Sequence, residues 1–218
     1  MNFSVGIYDL FAYAIPGSLH LSLLIYVVDQ QGWANAEDLG RVPLTLLVAF
    51  AVILSYVLGH LTYPLSRALD RIPRSRLDTV MAAVRRRFLD RAPGARAEAL
   101  VATDLFLIQA AVEIHHPEAV AEVNRLRAQG LMLRNCAAAM LIAALVAATE
   151  ALLGDRPAFA ATSAILLAVL GVVGVHGGQR FRSWAAAKTL EVAYWTSDVN
   201  LPIPARPAVP DTVGSGRG

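Results

Sequence analysis

Four long apolar runs constrain this chain more than any other feature. Residues 10–28, 42–63, 133–153 and 158–176 are each close to the length, about 20 residues, that lets an α-helix cross a hydrocarbon core about 30 Å thick. Within lipid a backbone N–H or C=O finds no water, so a single apolar run of this length satisfies its own polar groups only as a helix. Composition agrees, with 56% hydrophobic and 17% charged residues and a mean hydropathy of +0.50. Soluble domains carry about 25% charged residues. The predicted fold is all-α: a polytopic membrane protein with four transmembrane helices and a helical cytoplasmic insertion between the second and the third.

The arginines set the predicted orientation. The connection 29–41 carries Asp29, Glu37 and Asp38 against Arg41, and the connection 154–157 has Arg156 as its only basic residue. The long middle connection instead holds Arg67, Arg71, Arg74, Arg76, Arg85, Arg86, Arg87, Arg91, Arg96, Arg125 and Arg127, and Arg134 follows at the next boundary. Cytoplasmic flanks are enriched in Arg and Lys, so the middle connection and both termini are expected inside. The first eight residues contain no Arg or Lys, unlike the charged start of a signal peptide, and the first span is read as retained. The expected location is the bacterial inner (cytoplasmic) membrane.

Five segments follow: an N-terminal transmembrane pair (1–63), a cytoplasmic Arg-rich helical segment (64–132), a C-terminal transmembrane pair (133–178), a cytoplasmic amphipathic helix (179–200) and a disordered tail (201–218). In the second segment Leu77, Val80, Met81, Val84 and Phe88 recur at helical spacing, with Arg85, Arg86 and Arg87 mostly off that stripe. Pro93-Gly94 breaks the helix. A second helix is expected over 95–114, with Leu100, Val101, Leu105, Phe106, Ile108 and Val112 apolar, and Pro117 opens a third that runs into the third span. After the fourth span, residues 181–194 read as a separate helix carrying Phe181, Trp184, Leu190, Tyr194 and Trp195.

Candidate chemistry is sparse. His20 falls about eleven residues into the first span, near the bilayer centre, where a polar side chain is expensive and functional by default. His60 and His176 fall at span ends, and with His20 they form the one candidate polar intramembrane site. No third ligand of zinc-like spacing accompanies them, and His115-His116 reads as a helix cap. Asp9 is read as marking the N-terminus of the first helix, and Glu150 as snorkelling or capping near the end of the third span. Cys136 is the single cysteine, so neither a disulfide nor a CxxC site can form. Phosphate-binding glycine motifs and a GxSxG elbow are absent. The expectation is no catalytic residue, no metal, no cofactor and no nucleic acid. Arg85, Arg86 and Arg87 are the candidate contact for an anionic headgroup, a nucleotide signal or an acidic cytoplasmic partner.

Small residues supply the remaining pattern. Ala139, Ala143, Ala147 and Ala151 recur every four residues in the third span, and Ala160, Ala164 and Ala168 precede Gly174 and Gly178 in the fourth. Such faces let helices approach closely in lipid, where van der Waals contact drives association. Pro16-Gly17 predicts a kink with a close contact in the first span. Pro16, Gly17, Ala143, Ala147, Gly174 and Gly178 are therefore the expected packing residues; self-association into a homo-oligomer in the lipid bilayer is expected, with the fourth span part of the contact, and Gly174 and Gly178 fit either packing within the chain or a contact between subunits.

The run Tyr8-Asp9-Leu10-Phe11-Ala12-Tyr13-Ala14-Ile15-Pro16-Gly17, together with Tyr56-Val57-Leu58-Gly59-His60, resembles a loose group of bacterial four-span membrane proteins with an aromatic-x-Tyr-x-x-Pro-Gly first helix. Some proteins similar to these serve as membrane effectors of anti-phage systems, beside a sensor or a cyclic-nucleotide synthase. The resemblance implies a non-enzymatic, pore-forming or membrane-disrupting effector triggered through its cytoplasmic segment, and it carries no catalytic residue across. The competing readings are a transporter or membrane-embedded enzyme using the histidines, and a passive scaffold for a cytoplasmic partner.

Overall fold

The computed structural model describes residues 3–32, 43–69 and 74–196. The predicted tail, together with Glu37, Asp38, Arg41 and Arg71, lies outside them. Among the described residues the chain forms eight α-helices and no strand: α1 Phe3–Gln30, α2 Leu44–Leu61, α3 Tyr63–Leu69, α4 Arg74–Arg91, α5 Ala95–Ala102, α6 Leu105–His115, α7 Pro117–Leu153 and α8 Pro157–Trp195. Four of them, α1, α2, α7 and α8, are long and apolar enough to cross a membrane.

Local chemistry sets the boundaries. Pro43 precedes the first residue of α2, Pro117 and Pro157 open α7 and α8, and at such positions the missing N–H has no partner to lose. α2 stops at Thr62, whose hydroxyl donates to the Leu58 carbonyl at 2.8 Å, and Pro64 follows in the first turn of α3. Gly94 turns the chain between α4 and α5 with φ +131°, which a side chain would strain. The single helix expected over 95–114 is two helices. Thr103 turns extended, and the Asp104 carboxylate accepts the Phe106 N–H at 2.8 Å, capping α6. α1 starts at Phe3, so Asp9 does not mark its N-terminus as the sequence suggested.

The two C-terminal helices are rods. At 1.5 Å per residue, 37 residues of α7 and 39 of α8 extend about 55 Å and 58 Å, almost twice the hydrocarbon thickness. The separate helix expected over 181–194 is the continuation of α8. Gly177 and Gly178, at the boundary expected between the span and that helix, rest on Leu133, Gly130 and Arg134 of α7, and the helix runs through them.

Packing orders the four long helices as a row: α2 lies on α1, α1 on α7, and α7 on α8. On the outer members Leu44, Phe50, Ile53, Phe159, Ile165 and Val173 are exposed, as lipid-facing side chains would be. At one end of the row α4, α5 and α6 build a module with α7 and α8. Its core joins Phe88, Ala92, Ala97, Leu100, Ile108, Val112 and Val120 to Leu190 and Ala193 of α8. The module thus includes the end of α8, which the sequence had set apart. Phe106, expected on the apolar side, is exposed there and lies under the Arg127 guanidinium at 5.5 Å. Arg96 donates to the carbonyls of Ala193 and Thr196, placing a cation on the last turn of α8, where the helix dipole is negative.

Candidate functional site

The closest approach in the molecule is between α1 and α2. A Cβ on Gly17 would stand 1.6 Å from the Ser55 carbonyl oxygen, and one on Gly59 would stand 2.0 Å from that of Tyr13. Backbone meets backbone, which only glycine permits. Beside this crossing the Tyr13 ring stacks on His60 with centroids 3.8 Å apart, and Tyr56 and Tyr63 close around the pair. The Arg134 guanidinium lies 5.6 Å from the centre of Tyr63, tying α7 to the same cluster. The two runs that carry the resemblance are therefore the two halves of one contact.

His20 is the buried histidine of α1. Ala12, Pro16 and His20 recur every four residues and are all buried, on a stripe that drifts round the helix until His20 comes within about 20° of Tyr13. His20 Nδ1 lies 2.8 Å from the Pro16 carbonyl, which can only accept, so Nδ1 carries the proton in this bond. His20 Nε2 is buried with no hydrogen-bond partner. Near the end of the row away from the module, the Tyr26 hydroxyl donates to the Glu150 carboxylate at 2.6 Å, joining α1 to α7. Glu150 was expected to snorkel or cap; a cross-helix hydrogen bond replaces that reading.

Asn135 is the site residue that sequence reasoning missed. It is 1% exposed, and neither its amide oxygen nor its amide nitrogen has a partner. The α7 surface facing α8 runs through Gly130, Arg134, Ala137 and Leu141, and Asn135 points about 100° away from Arg134 on the helix.

The candidate histidines do not converge. His20 is buried in α1, His60 belongs to the aromatic cluster, and His176 is exposed on α8 with Nδ1 3.0 Å from the Val172 carbonyl. Among the described residues no three His, Cys, Asp or Glu side chains gather as a metal site would require. Of the packing candidates, Pro16 and Gly17 are buried, while Ala143 and Ala147 are only partly so; Ala137, Ala138, Ala139 and Ala144 are the buried alanines of α7. Gly174 and Gly178 face α7 of the same chain, with a Cβ 3.0 Å from Ala137 Cβ and 3.0 Å from the Gly130 oxygen respectively. These contacts favour packing within the chain, one of the two readings that the sequence leaves open for the two glycines.

The chain matches no family model, no curated protein and no solved structure. Its function is therefore argued from its own geometry. Arg85, Arg86 and Arg87 are all exposed on α4, and only Arg87 borders a cleft, shared with Arg91 on the same helix and Lys188 on α8.

Proposed function

We propose that this chain is a non-enzymatic, oligomeric effector of the bacterial inner membrane, whose cytoplasmic module receives a signal and drives the transmembrane row to open or disrupt the bilayer. The observation that carries this reading is the continuity of α7 and α8 from the row into the module core. A hinge would absorb a displacement of the module; two rods locked together through Gly130, Gly171 and Gly178 pass it on. The resemblance of the α1–α2 contact to a group that includes membrane effectors of anti-phage systems supports the same reading. The arginine excess supports a cytoplasmic module. A single row of four helices encloses no channel, so a conducting path of this design is built from several copies. The histidine-based transporter reading is weakened by the exposure of His176 and by the absence, among the described residues, of any cluster of three ligating side chains.

Membrane potential in cells expressing the chain tests the proposal. Strong induction of the wild type is expected to depolarise the membrane, read with a potential-sensitive dye. Gln179→Pro, which removes one helical hydrogen bond of α8 between row and module, is expected to abolish depolarisation while the protein remains inserted. Orientation is read in a Cys136→Ala background: an impermeant maleimide is expected to label Ala34→Cys from outside and to leave Arg91→Cys untouched. A wild type that never alters the potential refutes the effector in favour of a scaffold, and an undiminished Gln179→Pro refutes the coupling through the rods.

A further inference from the structure

Where α4 and the end of α8 diverge, the module surface opens into a cleft of about 440 Å³. Helical spacing builds its walls. On α4, Val84, Arg87, Phe88 and Arg91 fall on one face, and on α8 Trp184, Lys188 and Glu191 fall on another. Phe88 and Leu126 contribute apolar lining, and Trp184 stands at the end nearer the row with the Arg180 guanidinium 4.8 Å from its ring.

The charges on the walls do not balance. Arg87, Arg91 and Lys188 face a single carboxylate, Glu191, which lies 3.6 Å from Arg91. Arg87 and Lys188 make no ion pair among the described residues, although they approach the same space from two helices. Like charges held across a concave surface raise the local potential and concentrate anions there. A planar guanidinium offers two parallel N–H donors to two oxygens of one group, and an ammonium adds a compact charge, a combination suited to phosphate. Arg85 and Arg86, adjacent in sequence and equally charged, lie outside the cleft lining.

We propose that the α4–α8 cleft binds a phosphate group through Arg87 and Lys188, with Arg91 held at the rim by Glu191. This rests on the module being the receiving part of the chain, and it gives the signal a chemistry. Two sources carry that group: a soluble phosphate compound, or the headgroup of an anionic lipid reaching the cleft past Trp184.

Both sources are tested on the full chain in lipid nanodiscs, without any membrane activity. In neutral phosphatidylcholine discs the probe is inorganic pyrophosphate, followed by calorimetry. In the second arm the probe is brominated phosphatidylglycerol, followed by quenching of Trp184 in a Trp33→Phe, Trp195→Phe background. Binding in at least one arm is expected, with Arg87→Gln combined with Lys188→Gln weakening it at least tenfold. Arg85→Gln combined with Arg86→Gln removes the same charge and is expected to change it less than twofold. Both pairs are exposed, and unchanged circular dichroism verifies that each variant is folded. Pyrophosphate binding assigns a soluble phosphate; lipid quenching alone assigns the headgroup. Binding in neither arm, or equal losses in the two double variants, overturns the site. Such a failure leaves the Gln179→Pro result standing, so the cleft and the rod coupling are judged separately.

Discussion

Adding one methyl group at Gly17 probes the tightest contact in the molecule. The new Cβ would lie 1.6 Å from the Ser55 oxygen, 2.6 Å from its carbonyl carbon and 2.9 Å from the Gly59 nitrogen, all of them backbone atoms. Restoring ordinary contact near 3.4 Å means moving α1 from α2 by about 1.8 Å. A gap of only about 1 Å already forfeits up to half of the dispersion energy of a contact. No rotamer can relieve the clash, so Gly17→Ala belongs at the upper end of overpacking costs, about 3 kcal/mol, or roughly 150-fold in the folding equilibrium. The gain of about 1 kcal/mol in helix propensity offsets only part of this. Gly59→Ala, 2.0 Å from the Tyr13 oxygen, is expected to match it. Gly177→Ala is the control, because its Cβ would meet only Leu133 Cδ1 at 3.4 Å. Unfolding by increasing sodium dodecyl sulfate in mixed micelles, followed by circular dichroism, ranks the three. If Gly17→Ala and Gly177→Ala unfold at the same detergent fraction, the backbone crossing of α1 and α2 is wrong.

The other perturbations address the second pair and the seam. Gly174→Leu combined with Gly178→Leu is expected to yield little folded protein, since both glycines face α7; a well-folded monomer recovered by size exclusion in place of a larger species would return them to a subunit contact. Tyr26→Phe removes the hydrogen bond to Glu150 and is expected to cost about 1 kcal/mol or somewhat more, because the acceptor is a carboxylate, measured by the same detergent titration. Asn135→Leu exchanges a buried amide without partners for an apolar side chain of the same branched shape but larger volume, and is expected to leave stability unchanged or raised; a lower midpoint for both Asn135→Leu and the smaller Asn135→Ala would mean that Asn135 has a partner, such as a bound water.

The spans were legible because length and apolarity are local properties, and Pro117 announced the start of α7. The fate of Gly177-Gly178 was not local. A glycine pair ends a helix in isolation, whereas here α7 takes up the space that side chains would have filled, and α8 continues. The Tyr13–Gly17 and Tyr56–His60 runs could be recognised as unusual from sequence, but their meeting is a tertiary fact. Glu150 looked like a carboxylate on its way to the surface because its partner, Tyr26, is 124 residues earlier. Asn135 gave almost no signal: one amide between Arg134 and Cys136 reads as a boundary residue until the neighbouring helix is in place. Periodicity could separate Arg85 and Arg86 from the apolar stripe, yet it could not pick out Arg87, because the opposite wall of the cleft comes from α8.

The contacts of the row differ in kind, and that difference bears on how such a protein could move. α1 meets α2, and α7 meets α8, through glycines with backbone or Cβ atoms at the interface, so small displacements are steeply penalised. The seam between α1 and α7 is built otherwise. It holds the hydrogen bond from Tyr26 to Glu150, while His20 Nε2 of α1 and the Asn135 amide of α7 are buried without a partner. Each unsatisfied buried group costs about 1–3 kcal/mol relative to a hydrated one, so a movement of α1 or α7 that hydrates these two groups returns part of its cost. The row is thus two close-packed pairs that meet at the α1–α7 seam, and α7, which forms one side of it, is also one of the two rods that enter the module. In the proposed effector a displacement carried by α7 reaches that seam.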